Sequence, residues 1–118
     1  MNLKQIIEDI NHLELDSRKE RLNQLLEISN YYISNNLDNS VIAYDILDCI
    51  DGMRQSRFIE TSEELELINI SLKIARAISD KLKILSYLKD LIYYTYYYPD
   101  KYDKKIIEKE INDIETSL

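Results

Sequence analysis

The sequence predicts an all-α fold: a single-domain antiparallel bundle of five or six helices over residues 1–118. Three observations predict it. Leu and Ile recur at intervals of three and four, and no segment alternates apolar with polar residues as a half-buried strand would. One Gly and one Pro in 118 residues leave little material for the tight turns of a sheet protein. A hydrophobic content of 45% is too high for a disordered acidic tail and sufficient for a core at this length.

Each element follows from its own pattern. Leu3, Ile6, Ile7 and Ile10 mark a short first helix, with Asn2 as its cap. Ser17 and Glu20 form an S-x-x-E capping box, in which each residue satisfies an orphan N–H of the other's turn. A second helix follows, with Leu22, Leu25, Leu26, Ser29, Tyr32 and Ile33 inward. The run from Asn35 to Ser40 is the clearest turn. A third helix sets Ile42, Ile46, Cys49, Ile50 and Met53 inward, with Gly52 near its end, where a left-handed residue costs little. Phe58 and Ile59 tuck the following connector onto the core.

Residues 61–98 form the apolar spine, with neither Gly nor Pro. Leu65, Ile68, Leu72 and Ala75 make one row, and Leu67, Ile70, Ile74 and Ile78 a second beside it, so this helix is central. Glu66, Asn69, Lys73, Arg76 and Asp80 fill the wet stripe. Thr61 and Glu64 fit a capping box. Beyond Asp80 the period resumes with Leu82, Leu85, Leu88, Ile92 and Tyr96, and Pro99 ends it. A single helix over this stretch would be about 55 Å long at roughly 1.5 Å per residue, too long for so small a domain. A break is therefore expected at Ser79-Asp80, with Asp80 capping the second half; one bent helix is the alternative. After Pro99, Asp100 or Asp103 caps a last helix with Ile107, Ile111 and Ile114 on one side. No internal repeat of fixed period is legible.

Chemistry is excluded more readily than it is found. His12 is the only histidine and has no cysteine or second imidazole near it in sequence, so no metal site is expected. Cys49 falls on the apolar row of the third helix and is expected to be a buried, inert thiol. No glycine-rich loop offers a phosphate cradle. Asp45, Asp48 and Asp51 are three apart, whereas a calcium loop places its ligands at alternate positions. No carboxylate pair stands out for acid–base work. The expectation is a protein that is not an enzyme and has no cofactor. The N-terminal MNLKQIIEDINH is amphipathic rather than a basic head before an apolar run, and no apolar stretch reaches membrane-span length. With one unpaired cysteine, this points to a reducing cytoplasm.

Charge is the informative feature. Residues 37–66 hold eight carboxylates against two arginines, a net of −6 out of −7 for the whole chain. Glu63 and Glu64 are explained by the helix dipole at the start of the spine. Asp48 and Asp51 are not, because they lie towards a helix C-terminus. An acidic patch repels nucleic acid and attracts a basic protein. The candidate binding residues are Tyr44, Asp45, Asp48, Asp51 and Glu60, adjoined by Glu63 and Glu64; a merely solvated face is the competing reading. Tyrosine is the second feature: five of the ten crowd one helix end, and Tyr93 and Tyr97 are expected to face outward.

On these residues the chain resembles the small, acidic, all-helical immunity proteins that accompany bacterial toxins. The likeness lies in NNLDNSVIAYDILDCIDG and FIETSEELELINISLKIA, about a third of the chain. It implies a cytoplasmic protein that binds and blocks one cognate toxin, often a basic nuclease. A helical adaptor or a small subunit of a larger complex is the other expectation.

Overall fold

The computed structural model describes residues 3–11, 18–35, 40–55 and 60–118. Six helices make up the fold: α1 (Leu3–Asn11), α2 (Arg18–Ser34), α3 (Ser40–Arg54), α4 (Thr61–Ala77), α5 (Lys81–Tyr94) and α6 (Lys104–Ser117). The described residues contain no strand. Asn2, His12, Ser17, the 36–39 turn, Phe58 and Ile59 lie outside the described residues, and so do the expectations placed on them.

The helices form two layers. α1, α3 and α5 make one; α2, α4 and α6 make the other. Each helix packs on its sequence neighbour, α1 also packs on α3, and α2 on α4. α3 and α5 do not pack on each other directly but are cross-linked by side chains. Tyr44 Oη donates to Asp80 Oδ2 at 2.6 Å, and Arg54 Nη2 donates to Asp90 Oδ2 at 2.9 Å. Both links join residues 36 apart, so the two helices run parallel and in register. α4 and α6 are tied likewise: Asn69 Nδ2 donates to Tyr102 Oη at 2.8 Å, and Arg76 Nη2 to Glu110 Oε1 at 2.7 Å. Alternate helices are therefore parallel, as short connections between antiparallel neighbours require. α2, α4 and α6 begin at residues 18, 61 and 104, two equal steps of 43, although the sequence shows no matching repeat.

α4 sits at the centre, against α2, α3 and α5. Both of its apolar rows are buried except the half-buried Ile78, and its wet stripe carries Glu66, Lys73 and Arg76 at the surface. Its start is one residue earlier in register than expected. Glu60, not Thr61, is the N-cap, and the Glu60 N–H donates to the Glu63 carboxylate at 3.0 Å. Thr61 is already helical, so the box pairs positions 60 and 63.

The break before Asp80 is real, and a single helix is ruled out by size: the longest dimension of the molecule is 39 Å. Ser79 adopts a left-handed φ of 55°, and the Asp80 N–H reaches back to Ala75 O at 3.1 Å, closing α4. Asp80 then caps α5, its Oδ1 accepting from Lys83 N at 3.0 Å. The left-handed position thus falls on a serine. Gly52 lies inside α3 with an ordinary negative φ, contrary to its expected use as a helix end.

Two inner faces are rotated from the sequence expectation. α3 buries Ala43, Ile46, Leu47, Ile50 and Met53, leaving Ile42 and Cys49 at the edge. Cys49 is therefore half-buried, not fully buried as expected. α5 buries Leu85, Tyr87, Leu88, Leu91 and Tyr94. Leu82 is 67% exposed and Tyr96 70% exposed, against their expected inward places. The helix ends at Tyr94, and the Thr95 hydroxyl binds Ile92 O at 2.7 Å, so Tyr96 is off the helical period. Asp103, the second of the two candidates, caps α6 by accepting from Lys105 N and Ile106 N. Ile107 is buried, with Ile111 and Ile114 packed beside it.

Candidate functional site

Five of the nine candidate residues, Tyr44, Asp45, Asp48, Asp51 and Tyr93, lie on α3 and α5. The two ties between α3 and α5 are set roughly 15 Å apart along the helices, by ten residues at about 1.5 Å each. Between them is a cavity of about 420 Å³ lined by Asp51, Arg54, Gln55, Leu82, Lys83, Ser86 and Tyr87.

At the first tie, Tyr44 serves the fold. Its hydroxyl hydrogen bond to Asp80 raises its own pKa above the usual phenol value. That hydrogen bond, then the Lys83 N–H, lowers the Asp80 carboxyl below the usual carboxylate range. Lys83 Nζ sits over the Tyr44 ring, 5.9 Å from its centroid.

At the second tie, Arg54 is the hub. Its Nη2 contacts Asp90 at 2.9 Å and Glu64 at 3.5 Å, with only 15% of the side chain exposed. Burial pulls the guanidinium pKa down; the Asp90 hydrogen bond and the charges of Asp90, Glu64 and Asp51 outweigh this and raise it. Arg54 is thus compensated by two carboxylates, the situation in which a buried cation is tolerated. Asp51 lies on the cavity wall, half-buried, and makes no ion pair within 4 Å among the described residues. Burial raises its carboxyl pKa, opposed by Lys83 and Arg54.

Glu64 joins this cluster to the tyrosines. Tyr94 is buried; that burial, then its hydrogen bond to Glu64, pushes its phenol well up. Tyr93 packs edge-on against Tyr94 at 5.3 Å, and the Tyr93 and Tyr97 hydroxyls are 3.1 Å apart. Tyr93 and Tyr97 are 58% and 61% exposed, facing outward as expected. Their shared hydrogen bond, with Glu64 a smaller influence, raises the Tyr93 phenol.

The acidic residues of α3 diverge. Tyr44 and Asp51 face α5. Asp45 and Asp48 line a second cavity of about 420 Å³ against α1, with Lys4, Ile7, Glu8 and Cys49. Glu60 and Glu63 stay at the start of α4, where they cap it. Arg54, Asp90, Asp80 and Tyr87 were not candidates from the sequence. A pairing across 36 residues follows from the register of two helices, which no local pattern announces. Asp80 was legible only as a cap.

Among the described residues no group of three or more His, Cys, Asp or Glu converges to hold a metal ion. No described helix is long and apolar enough to cross a membrane. Comparison with protein-family models, with curated proteins and with solved structures finds no match to this chain.

Proposed function

We propose that this chain is an immunity-type inhibitor that binds and neutralises a basic bacterial toxin protein through the outer side of its α1–α3–α5 layer. One observation supports this above the rest: Glu64 pairs with Arg54 of α3 and hydrogen-bonds Tyr94, so the acidic start of α4 adjoins the exposed Tyr93–Tyr97 pair. Carboxylates that steer a basic partner then adjoin rigid aromatic area that holds it. The resemblance carried by residues 35–52 and 58–75 supplies the toxin class. Cytoplasmic residence belongs to the same proposal.

The test combines capture with inhibition. The tagged protein is recovered from its native cells at low salt, and the captured partner is assayed with and without it. A single basic protein whose activity is blocked, and whose association slows as salt rises, is expected. Tyr93→Ala with Tyr97→Ala should speed its dissociation. A captured partner that stays fully active would replace inhibition with the helical-adaptor reading. Capture of acidic proteins alone would overturn both the partner chemistry and the surface.

A further inference from the structure

We infer that the turn between α4 and α5 is a hinge through which two copies of this chain swap their α5–α6 hairpins. In the swapped pair residues 78–80 are helical, α4 and α5 join into one helix, and the hairpin of each copy packs on the α4 of the other. This pairing is independent of the inhibitor reading.

Three observations point to the turn. The first is its backbone. Only residues 78–80 separate the two helices, and Ser79 holds a left-handed φ of 55°. A residue with a Cβ is strained there, and short hinges under strain invite swapping. The second is the sequence across the turn. Residues 61–98 contain neither Gly nor Pro, so nothing in them forbids a continuous helix. The second apolar row of α4 runs on past the turn at intervals of three and four: Leu67, Ile70, Ile74, Ile78, Leu82 and Leu85. In the single chain the turn interrupts that row, leaving Ile78 half-buried and Leu82 67% exposed. A helix over residues 61–94 would be about 50 Å long at roughly 1.5 Å per residue. One molecule, 39 Å in its longest dimension, cannot cover it; two can.

The third is that α5 and α6 form a separable unit. They pack on each other, and α5 packs on α4. Away from the turn, their other links are the Arg54–Asp90, Asn69–Tyr102 and Arg76–Glu110 side-chain ties. A second copy offers the same surfaces, so all of these contacts are remade between chains, which is why swapping is a low-cost route to a dimer. Residues 81–118 hold seven lysines against seven Asp or Glu, so the swapped piece is itself neutral and the acidity of the rest does not oppose its docking. What the pair loses is local: the Asp80 cap on Lys83 N, the Tyr44–Asp80 tie and the Asp80 N–H bond to Ala75 O. What it gains is helical hydrogen bonding through the turn, relief of Ser79, and cover for Ile78 and Leu82 against their symmetry mates.

The experiment refolds the full chain from urea at high concentration and separates monomer from dimer by size-exclusion chromatography with light scattering. A dimer that interconverts slowly with monomer is expected, because the hairpin must detach first. In mixed dimers of isotope-labelled and unlabelled chains, Asn69 and Tyr102 should give an interchain nuclear Overhauser effect. Ser79→Ala favours the helix and Ser79→Gly favours the turn. Two hinges change per dimer, so the two variants' dimer association constants should differ by about tenfold or more. Leu82→Glu should lower the dimer fraction while leaving the melting temperature of the monomer nearly unchanged. Wild type and Ser79→Ala both monomeric at every concentration, an Asn69–Tyr102 contact that stays within one chain, or a dimer insensitive to Ser79→Gly would each overturn the hinge.

Discussion

α4 and α5 are neighbours of similar composition, separated only by Ile78, Ser79 and Asp80, yet they use their apolar residues differently. α4 is enclosed by α2, α3 and α5, and every residue of its first apolar row is buried. α5 lies at the edge of its layer. It buries Tyr87 and Tyr94 while leaving Leu82 and Tyr93 in water. In α4 the apolar rows are aliphatic and the wet stripe is charged, so only one orientation buries the rows. In α5 Tyr87 and Tyr94 share the buried face while the adjacent Tyr93 lies outside it, and tyrosine is tolerated on either side because it carries a polar tip. The contrast teaches that an aliphatic row specifies a face, whereas an aromatic cluster specifies only that some of it will be exposed. That leftover exposure is what leaves apolar and aromatic area of α5 in water.

The largest effect expected from this contrast is in the core. Ile68→Ala in α4, at a fully buried site, should cost about 2–5 kcal/mol of unfolding free energy in urea titrations. Leu82→Ala in α5 removes as large an aliphatic side chain and should cost within about 0.5 kcal/mol, as exposed positions do. Comparable losses at the two sites would break the comparison.

The junction comes next. Asp80→Ala removes the α5 cap and the partner of Tyr44, and should cost about 1–2 kcal/mol at neutral pH. Its pH dependence separates it from the cleft carboxylate. The Asp80 carboxyl is held below its ordinary value of 3.8, so its contribution is present above that value and is lost as pH falls through the folded pKa. Asp51 has the opposite sign. Its pKa is raised above 3.8, so its favourable contribution is present below that value and is lost as pH rises through the folded pKa. Asp51→Asn should therefore stabilise the protein at neutral pH, and the gain should vanish in acid. Melting curves of both variants from pH 7 down to acid would sharpen the assignment; the same sign for both would refute it.

The smallest effects concern backbone conformation. Gly52 is helical, and a Cβ added there meets nothing within 4 Å, so Gly52→Ala should stabilise α3 by about 1 kcal/mol. Ser79 holds the left-handed position between α4 and α5, so Ser79→Gly should stabilise by about 1 kcal/mol or less, the unfolded-chain entropy of glycine offsetting part of the relief. Destabilisation by Gly52→Ala would mean that α3 does not continue through residue 52.

Much of this architecture was determined by the sequence alone. The all-helical class follows from the three-and-four spacing and the near-absence of Gly and Pro. Both α4 rows, the break before Asp80 and the Asp80 cap are local features, legible within a few residues, whereas for the last helix the sequence left Asp100 and Asp103 open and the structure uses Asp103. Tertiary structure decided the rest. It chose Ala43 and Leu47 over Ile42 and Cys49 for the inner face of α3, because the neighbouring helices fix its rotation. It turned Leu82 and Tyr96 outward. It divided the acidic run of α3 between a groove against α1 and a cleft against α5, so that carboxylates adjacent in sequence face different surroundings. It also tied Tyr44 to Asp80 and Arg54 to Asp90, links that exist only once two helices lie parallel in register. Helical periodicity is a property of one segment; which side is covered depends on the others, and the candidate site is made of what they leave uncovered.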